Sequence, residues 1–265
     1  MKIVSVIDNI SCCDDLYSEH GLSIFIEHDG KRVLFDTGQS EKIVSNAAKL
    51  NIDLTLVDYL VLSHGHYDHI GGLMPFLSVN GHAKIVVGRE IFHPRFHHEK
   101  AIGFPKDLVI PVDRLIYVND RMELSRNLFV VSNIPIRSKS DRHVDGFFVQ
   151  NDSSVVPDQF IDELYIVVKK KNKAVILSGC SHNGIRNIIG GVQDTMGVDV
   201  EIIVGGLHIS NESEAYVSGL TEYFNKSSIN KIYTSHCTGI DKYHLIQKQL
   251  GERIAYLYTG TQIEC

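Results

Sequence analysis

One cluster of side chains combines the residue types and the spacing that metal chemistry requires: His64, His66, Asp68 and His69. Imidazole and carboxylate ligands together favour zinc, iron or manganese over calcium. His64 and His66 are two residues apart, so in an extended chain their imidazoles point to the same side. Asp68 and His69 follow where a turn can direct them to a neighbouring point. The spacing therefore indicates two adjacent metal ions.

Chance is the simplest alternative explanation for this cluster. The chain contains 14 histidines in 265 residues, and a single histidine is usually a surface residue or a hydrogen-bonded core residue. An H-x-H-x-D-H pattern nevertheless arises from this composition with odds of roughly a few in a thousand. The metal-binding interpretation is therefore favoured.

The elements around the cluster place it on a strand-to-helix turn. The apolar residues 59–63 predict a buried strand, and residues 70–77 predict the start of a helix. Elsewhere in the chain, apolar or β-prone runs predict strands at 2–7, 22–27, 32–35, 83–87, 115–118, 128–131, 164–168, 174–177, 200–204, 231–234 and 254–258. Helices are predicted at 40–50 with Ser40 as N-cap, at 185–196, at 212–225 with Asn211 and Glu214 as a capping box, and at 241–250.

Four of the apolar strands end in Gly- or Ser-containing turns that carry a histidine: His64, His182, His208 and His236. Binding sites in α/β sheets are built at the carboxyl ends of strands. Four such strand ends in one chain predict that these histidines converge on one cleft.

For other polar residues, the sequence gives less support for a place in the same site. Asp36 ends the strand 32–35 before a glycine turn, where it either caps the turn or orients a ligand histidine. His93, His97 and His98 lie in a loop that could reach the site. The loops 11–20, 89–105 and 137–159 are expected to shape the cleft, and their sequences predict little regular structure.

Composition excludes several functional classes. The net charge is −6 and the longest basic run is Lys169 to Lys171, so nucleic acid is not a favoured partner. The five cysteines are odd in number and form no C-x-x-C pair, which predicts a reducing compartment. The amino terminus lacks the pattern of a signal peptide, and no apolar run is as long as a membrane span. The chain is therefore expected to be cytoplasmic and to have no membrane partner.

His64, His66, Asp68 and His69, followed by Gly71 and Gly72, resemble the signature of the metallo-β-lactamase superfamily. The turns around Cys180, His208 and His236 are similar to one subfamily, which includes the dihydropterin–aminobenzene ribofuranosyl 5′-phosphate synthase. The resemblance implies a single domain over residues 1–265 with a four-layer αββα sandwich. It also implies two divalent metal ions, zinc before manganese or iron, at the edge between the sheets.

The resemblance assigns a ligand to most positions of such a site. It implies that His64 and His66 bind the first metal, and that Asp68, His69 and His236 bind the second. In many members a bridging aspartate follows the strand that corresponds to 174–177. Cys180 stands at that position here, with His182 two residues later, so His182 is the expected ligand and Cys180 a weaker candidate.

These features together predict a metal-dependent hydrolase of a small anionic molecule, either a phosphoester or a phosphorylated, pterin-like metabolite. Asp68 and His208 are the expected catalytic residues, with His208 donating to an anionic substrate or protonating a leaving group. Hydrolysis of a lactone, thioester or lactam is the main alternative. A di-iron oxidoreductase is disfavoured by His66, where members with that chemistry usually carry a carboxylate. A non-catalytic metal-binding protein is the remaining alternative.

Overall fold

The computed structural model describes residues 1–105, 108, 110–152 and 154–265. This part of the chain contains eighteen strands and six α-helices. The strands are Lys2–Ile7 (β1), Ser23–His28 (β2), Lys31–Phe35 (β3), Tyr59–Val61 (β4), Lys84–Val87 (β5), Arg95–His97 (β6), Lys100–Ala101 (β7), Leu115–Tyr117 (β8), Arg121–Ser125 (β9), Leu128–Val131 (β10), Phe147–Gln150 (β11), Val155–Pro157 (β12), Tyr165–Lys170 (β13), Lys173–Ser178 (β14), Asp199–Gly205 (β15), Lys231–Thr234 (β16), Ile254–Tyr256 (β17) and Gln262–Glu264 (β18). The helices are Lys42–Lys49 (α1), Tyr67–Ile70 (α2), Leu73–Val79 (α3), Ile185–Met196 (α4), Glu214–Lys226 (α5) and Ile240–Leu250 (α6).

Two large mixed sheets form the centre of the molecule. The first has the order β18-β1-β2-β3-β4-β5-β8, and the second has the order β17-β16-β15-β14-β13-β10-β9. Each sheet has an antiparallel half, which includes the hairpins β2–β3 and β13–β14, and a parallel half. Parallel neighbours need a long connection, and all of these except the one between β5 and β8 contain an α-helix. The helices α1 and α3 follow strands of the first sheet, and α4 to α6 follow strands of the second.

Alternating side chains on the strands produce the layers. Val33 and Phe35 point into the core between the sheets, whereas Leu34 packs with the helices outside the first sheet, as the two-residue period of a strand requires. Helices α4 to α6 pack in the same way on the outer face of the second sheet. Each fully buried aliphatic side chain contributes about 1.5–3 kcal/mol to this arrangement. The predicted αββα sandwich is confirmed.

Strand register aligns the turns that carry the chemical groups. In the first sheet, Phe35 pairs with Val61, so the turns at Asp36 and at His64 leave the sheet side by side. In the second sheet, Gly205 pairs with both Ser178 and Thr234, which aligns the three later histidine turns. The carboxyl ends of the parallel strands therefore meet at one edge of the sandwich, as the sequence predicts.

The predicted helix at 70–77 is instead two short helices, α2 and α3, separated by Gly71 and Gly72. A β-carbon on Gly71 would lie 2.3 Å from the carbonyl oxygen of Gln39, and one on Gly72 would lie 2.3 Å from that of Thr37. The chain therefore needs two glycines where it passes against the turn after β3. This close approach holds the metal-ligand motif against Asp36.

Of the two predicted helix caps, one is wrong. Helix α1 begins at Lys42, and the hydroxyl oxygen of Ser40 accepts the N–H of Lys42 at 3.3 Å while its proton is donated to the buried carboxylate of Glu19. Helix α5 is capped by Ser213, whose hydroxyl oxygen accepts the N–H of Tyr216, and Asn211 lies outside the helix. At α5, Ser213 therefore takes the capping role that local spacing assigns to Asn211.

A third, four-stranded sheet of order β12-β11-β6-β7 was not predicted. Its short strands lie in the loops 89–105 and 137–159 and have no clear alternation of apolar residues. Ser153, within the second of these loops, lies outside the described residues, as does Val109. Among the described helices, none has the length and apolar character that crossing a membrane requires.

Candidate metal centre

The first group of potential ligands consists of His64, His66 and His182, which come from one turn of each sheet. One ring nitrogen from each lies within 4.8 Å of the other two, and all three residues are buried. The Nε2 atom of His64 is 3.1 Å from the Nδ1 atom of His66. Three imidazoles at this separation match the donor set of a first-row divalent metal.

Hydrogen bonds outside this group direct the lone pairs inward. The Nδ1–H of His182 donates to the carbonyl oxygen of His143 at 2.9 Å, so its Nε2 carries a lone pair and has no hydrogen-bond partner. The hydroxyl of Ser63 donates to Asp36 at 2.7 Å, so its oxygen accepts the Nδ1–H of His64 at 2.9 Å. Partners of this kind fix the tautomer of metal-binding histidines.

The second group surrounds one oxygen of Asp68. Its Oδ2 atom lies 3.2 Å from Nε2 of His236 and 3.9 Å from Nε2 of His69. The Sγ atom of Cys180 lies 3.2 Å from the same nitrogen of His69. The structure thus brings together all the residues assigned to the second metal by resemblance, and it places Cys180 among them.

Carboxylate and amide oxygens orient the histidines of the second group. The Nδ1–H of His69 donates to Asp36 at 2.6 Å, as predicted for that aspartate. The Nδ1–H of His236 donates to Oδ1 of Asn9 at 2.8 Å, and its backbone N–H donates to Asp8 at 2.7 Å. Both imidazoles therefore turn the other nitrogen, Nε2, towards Asp68.

The electrostatics of these rings fit a bound cation. Burial lowers the pKa of His64, His66 and His182 well below the usual range, so these rings are neutral, as metal ligands must be. Burial would also lower the pKa of His69, but the carboxylates of Asp36 and Asp68 raise it to about 9. The second group therefore attracts positive charge.

In the second group, two hydrogen-bond acceptors face each other, and this arrangement calls for a cation between them. With the Nδ1 proton of His236 held by Asn9, its Nε2 lone pair faces the Asp68 carboxylate at 3.2 Å. Two acceptors at this distance repel each other unless a proton or a metal ion lies between them. In the first group, the buried Nε2 lone pair of His182 has no hydrogen-bond donor, and a metal ion would satisfy it. The residues present therefore fit two divalent metals.

A buried arginine supports the turn between His64 and His66. Arg95 forms ion pairs with Asp158 at 2.9 Å and Asp162 at 2.8 Å, and Asp162 accepts the N–H of Gly65 at 2.8 Å. A β-carbon at residue 65 would lie 2.4 Å from the carbonyl oxygen of Ile91. The backbone between the two histidines is thus held against this loop.

The two groups open into a cleft of about 500 Å³. His208 lines it, with its ring centroid 4.1 Å from that of His182 and a buried Nδ1 atom that has no partner. His97 also lines the cleft, whereas His93 and His98 are absent from the described residues that do so. His208 is therefore available to contact a substrate.

Sequence reasoning missed several cleft residues, among them His143, Glu212, Asn9 and His20. His143 donates from Nδ1 to Glu212 at 2.9 Å, which leaves its buried Nε2 without a partner beside the His208 ring. Asn9 and His20 line the opposite side, next to Asp68. All four lie in polar connections without periodicity, and only the position of Asn9 after a strand end could have drawn attention to it.

The chain belongs to the metallo-beta-lactamase superfamily, because the profile of that superfamily matches residues 17–156. The matched residues include the turn with His64 to His69, and the turns with His182, His208 and His236 follow the matched part.

Two related proteins and one solved structure are similar to this chain over most of its length. The chain is 28% identical over 266 residues to the 7,8-dihydropterin-6-methyl-4-(beta-D-ribofuranosyl)-aminobenzene-5'-phosphate synthase of Methanocaldococcus jannaschii, covering 94% of this chain and 90% of that protein. It is also 28% identical to an uncharacterised protein of the same organism over 229 residues, covering 84% of this chain and 85% of that protein. A solved metal-dependent hydrolase of the beta-lactamase superfamily superposes with a TM-score of 0.87 at 29% identity, covering 100% of this chain and 99% of that one.

Replacing Asp36 by asparagine is expected to weaken zinc binding at the second group by about 10- to 100-fold. The buried carboxylate accepts three hydrogen bonds from Ser63 and His69. The NH₂ group of an asparagine would face one of these donors, and two donors cannot form a hydrogen bond. Competition with a chromophoric chelator measures the affinity. Asp58→Asn, immediately before β4 and paired with Lys31, is the matched control. Equal affinity in Asp36→Asn and the native protein would contradict the assigned contact.

Proposed function

We propose that the protein is a hydrolase that uses two divalent metal ions, preferentially zinc with manganese or iron as alternatives, to cleave a small phosphoester. The observation that carries this proposal is the inward direction of the ring lone pairs. Neighbouring side chains and carbonyls fix His64, His69, His182 and His236 so that their Nε2 atoms point into the two ligand groups, and two of these histidines also line the cleft. A site prepared in this way fits catalysis as well as metal storage, because the cleft leaves room for a substrate.

The ligand assignment follows the two groups. We assign His64, His66 and His182 to the first metal, and we assign the second metal to Asp68, His69, Cys180 and His236. Burial raises the pKa of the Cys180 thiol, and an adjacent divalent cation would favour its thiolate. When bound, such a pair of ions lowers the pKa of water and polarises a phosphoryl or carbonyl oxygen.

The protein's own groups then bind and orient the substrate. His208 and His143 present two buried, unpartnered nitrogens to the cleft next to the first group. We assign His208 to donate a hydrogen bond to the substrate or its leaving group. Glu212 holds the imidazole of His143 in one orientation, with its Nε2 as an acceptor.

Two cations in the lining of the cleft support an anionic substrate. Lys100 and Arg142 line it, and neither forms an ion pair with another described residue. The guanidinium of Arg142 donates only to neutral oxygens of Asn183 and Gln159. The lining also contains the carboxylates of Asp145 and Glu212, but Lys100 and Arg142 form no ion pair with them and can each donate to a phosphate group. The name of the M. jannaschii relative contains a pterin and a 5'-phosphate, so a phosphorylated, pterin-like metabolite is the substrate class that we propose.

A hydrolysis screen on metal-analysed protein tests the proposal. We expect two equivalents of metal and turnover of bis-p-nitrophenyl phosphate or p-nitrophenyl phosphate, lost after chelation and restored by zinc or manganese. Turnover of lactones or thioesters alone would retain the hydrolase and replace the bond class. A protein with both metals bound that hydrolyses none of these compounds would overturn the hydrolase assignment and favour synthase or binding functions.

A further inference from the structure

A histidine outside the metal-ligand motif reaches the second group. The Nε2 atom of His20 lies 3.2 Å from Oδ2 of Asp68, the same oxygen that faces His236. The rings of His20 and His236 are 4.9 Å apart. His20 lines the cleft and 54% of its side chain is exposed, so it can meet a substrate as well as Asp68.

The loop that carries His20 is anchored on both sides of it. On one side, the buried carboxylate of Glu19 accepts the N–H groups of Gln39 at 2.9 Å and Ser40 at 3.0 Å. On the other side, the N–H of Leu22 donates to the carbonyl oxygen of Asp68 at 3.2 Å. These contacts place His20 beside Asp68 without relying on the interaction of the two side chains.

Asn9 determines which nitrogen of His20 carries the proton. The Oδ1 atom of Asn9 accepts the backbone N–H of Gly21 at 3.1 Å, and because a backbone N–H can only donate, the orientation of the amide is fixed. The amide nitrogen of Asn9 then faces Nδ1 of His20 at 3.4 Å and donates to it. The neutral His20 ring therefore carries its proton on Nε2, next to Asp68.

The same amide has the opposite effect on His236. Its Oδ1 atom also accepts the Nδ1–H of that ring at 2.8 Å, so Nε2 of His236 presents a lone pair. One side chain thus makes His236 a metal ligand and His20 a hydrogen-bond donor. A metal-binding role for His20 would need a lone pair on Nε2, which the amide of Asn9 opposes.

We propose that Asn9 holds His20 as an Nε2–H donor at the second metal position, and that this donor recognises a phosphoryl oxygen of the substrate. The assignment of the substrate rests on the proposed hydrolase function, and the assignment of the tautomer does not. His20 is then a substrate-recognition residue, and Asn9 is a positioning residue that acts through it.

Nuclear magnetic resonance of zinc-loaded protein labelled with ¹⁵N-histidine tests the tautomers directly. Long-range ¹H–¹⁵N correlations are expected to show the Nε2–H tautomer for His20 and the Nδ1–H tautomer for His236, with signals assigned by His20→Gln. Asn9→Asp removes the amide donor and is expected to shift His20 to the Nδ1–H tautomer. A native His20 with its proton on Nδ1, or with Nε2 bound to zinc, would overturn the proposal.

Binding of inorganic phosphate to zinc-loaded protein tests recognition without turnover. We expect His20→Ala to weaken phosphate binding by about 10- to 100-fold with zinc content unchanged, since the lost hydrogen bond is to a charged group. His20→Gln retains an N–H donor and is expected to stay within about threefold of the native protein. His82→Ala, at an exposed histidine, is the control and should bind phosphate like the native protein.

The possible outcomes separate this proposal from the hydrolase function. Loss of one zinc ion in His20→Ala would make His20 a ligand and overturn its donor role. Unchanged phosphate affinity in His20→Ala, or a native protein that binds two zinc ions and no phosphate, would overturn recognition. Native phosphate binding that depends on His20 in a protein without hydrolytic activity would support this proposal and reject the hydrolase.

Discussion

Replacement of His66 or Asp68 by alanine is expected to lower metal-dependent hydrolysis by about 1,000-fold or more while the protein remains folded. His66 is one of three ligands assigned to the first metal, and Asp68 is the carboxylate assigned to the second. Loss of either removes several kcal/mol of transition-state stabilisation that a correctly placed ion provides. Steady-state turnover with metal content measured on the same samples gives the result, and circular dichroism verifies the fold.

The control for this prediction is His82→Ala, which removes an exposed histidine that is not among the described residues lining the cleft. We expect the control to keep native turnover and native metal content. Native turnover in His66→Ala or Asp68→Ala, with the metal content known, would contradict the proposed mechanism.

Arg95→Leu is expected to lower the free energy of unfolding by about 3–5 kcal/mol. The guanidinium is almost fully buried and forms ion pairs with both Asp158 and Asp162, so its removal leaves these carboxylates without a counter-charge inside the protein. The cost exceeds that of losing the contacts alone, because an unpaired buried charge lacks solvation. Denaturant unfolding of metal-free protein measures the change separately from metal binding.

A triple variant tells this electrostatic cause from a packing cause. Adding Asp158→Asn and Asp162→Asn to Arg95→Leu removes both unpaired charges while nearly preserving volume. We expect the triple variant to recover a substantial part of the lost stability. If Arg95→Leu and the triple variant were equally unstable, packing of the arginine stem would explain the loss instead.

Much of the fold was predictable because the parallel strands are almost entirely apolar and end in recognisable turns. Helix α4 was predicted with its observed ends, since Gly184 precedes it and Gly197 follows it. The break between α2 and α3 was not predictable, because it depends on carbonyl groups of Gln39 and Thr37 more than thirty residues away. The third sheet was missed because its short strands carry no periodic pattern.

Some residues of the candidate site could likewise be predicted from the sequence, and others could not. The strand-end histidines could be predicted, because sheet register alone aligns the turns that hold His64, His182, His208 and His236. Asn9 and His20 could not, because their roles depend on hydrogen bonds to His236 and Asp68 that only the folded chain creates. Residue type marked the ligands of the site, whereas only position identified the groups that orient them.

The distribution of the site along the chain has a consequence for biosynthesis. His64 to His69 leave the ribosome roughly 170 residues before His236, and at typical rates of translation this interval lasts roughly ten to thirty seconds. Strand β1 likewise cannot pair with β18, its neighbour at the edge of the first sheet, until β18 has been synthesised. A nascent chain therefore exposes an incomplete set of metal-binding groups. Correct loading is favoured when metal enters after synthesis has finished, and premature binding by the early motif alone would compete with folding.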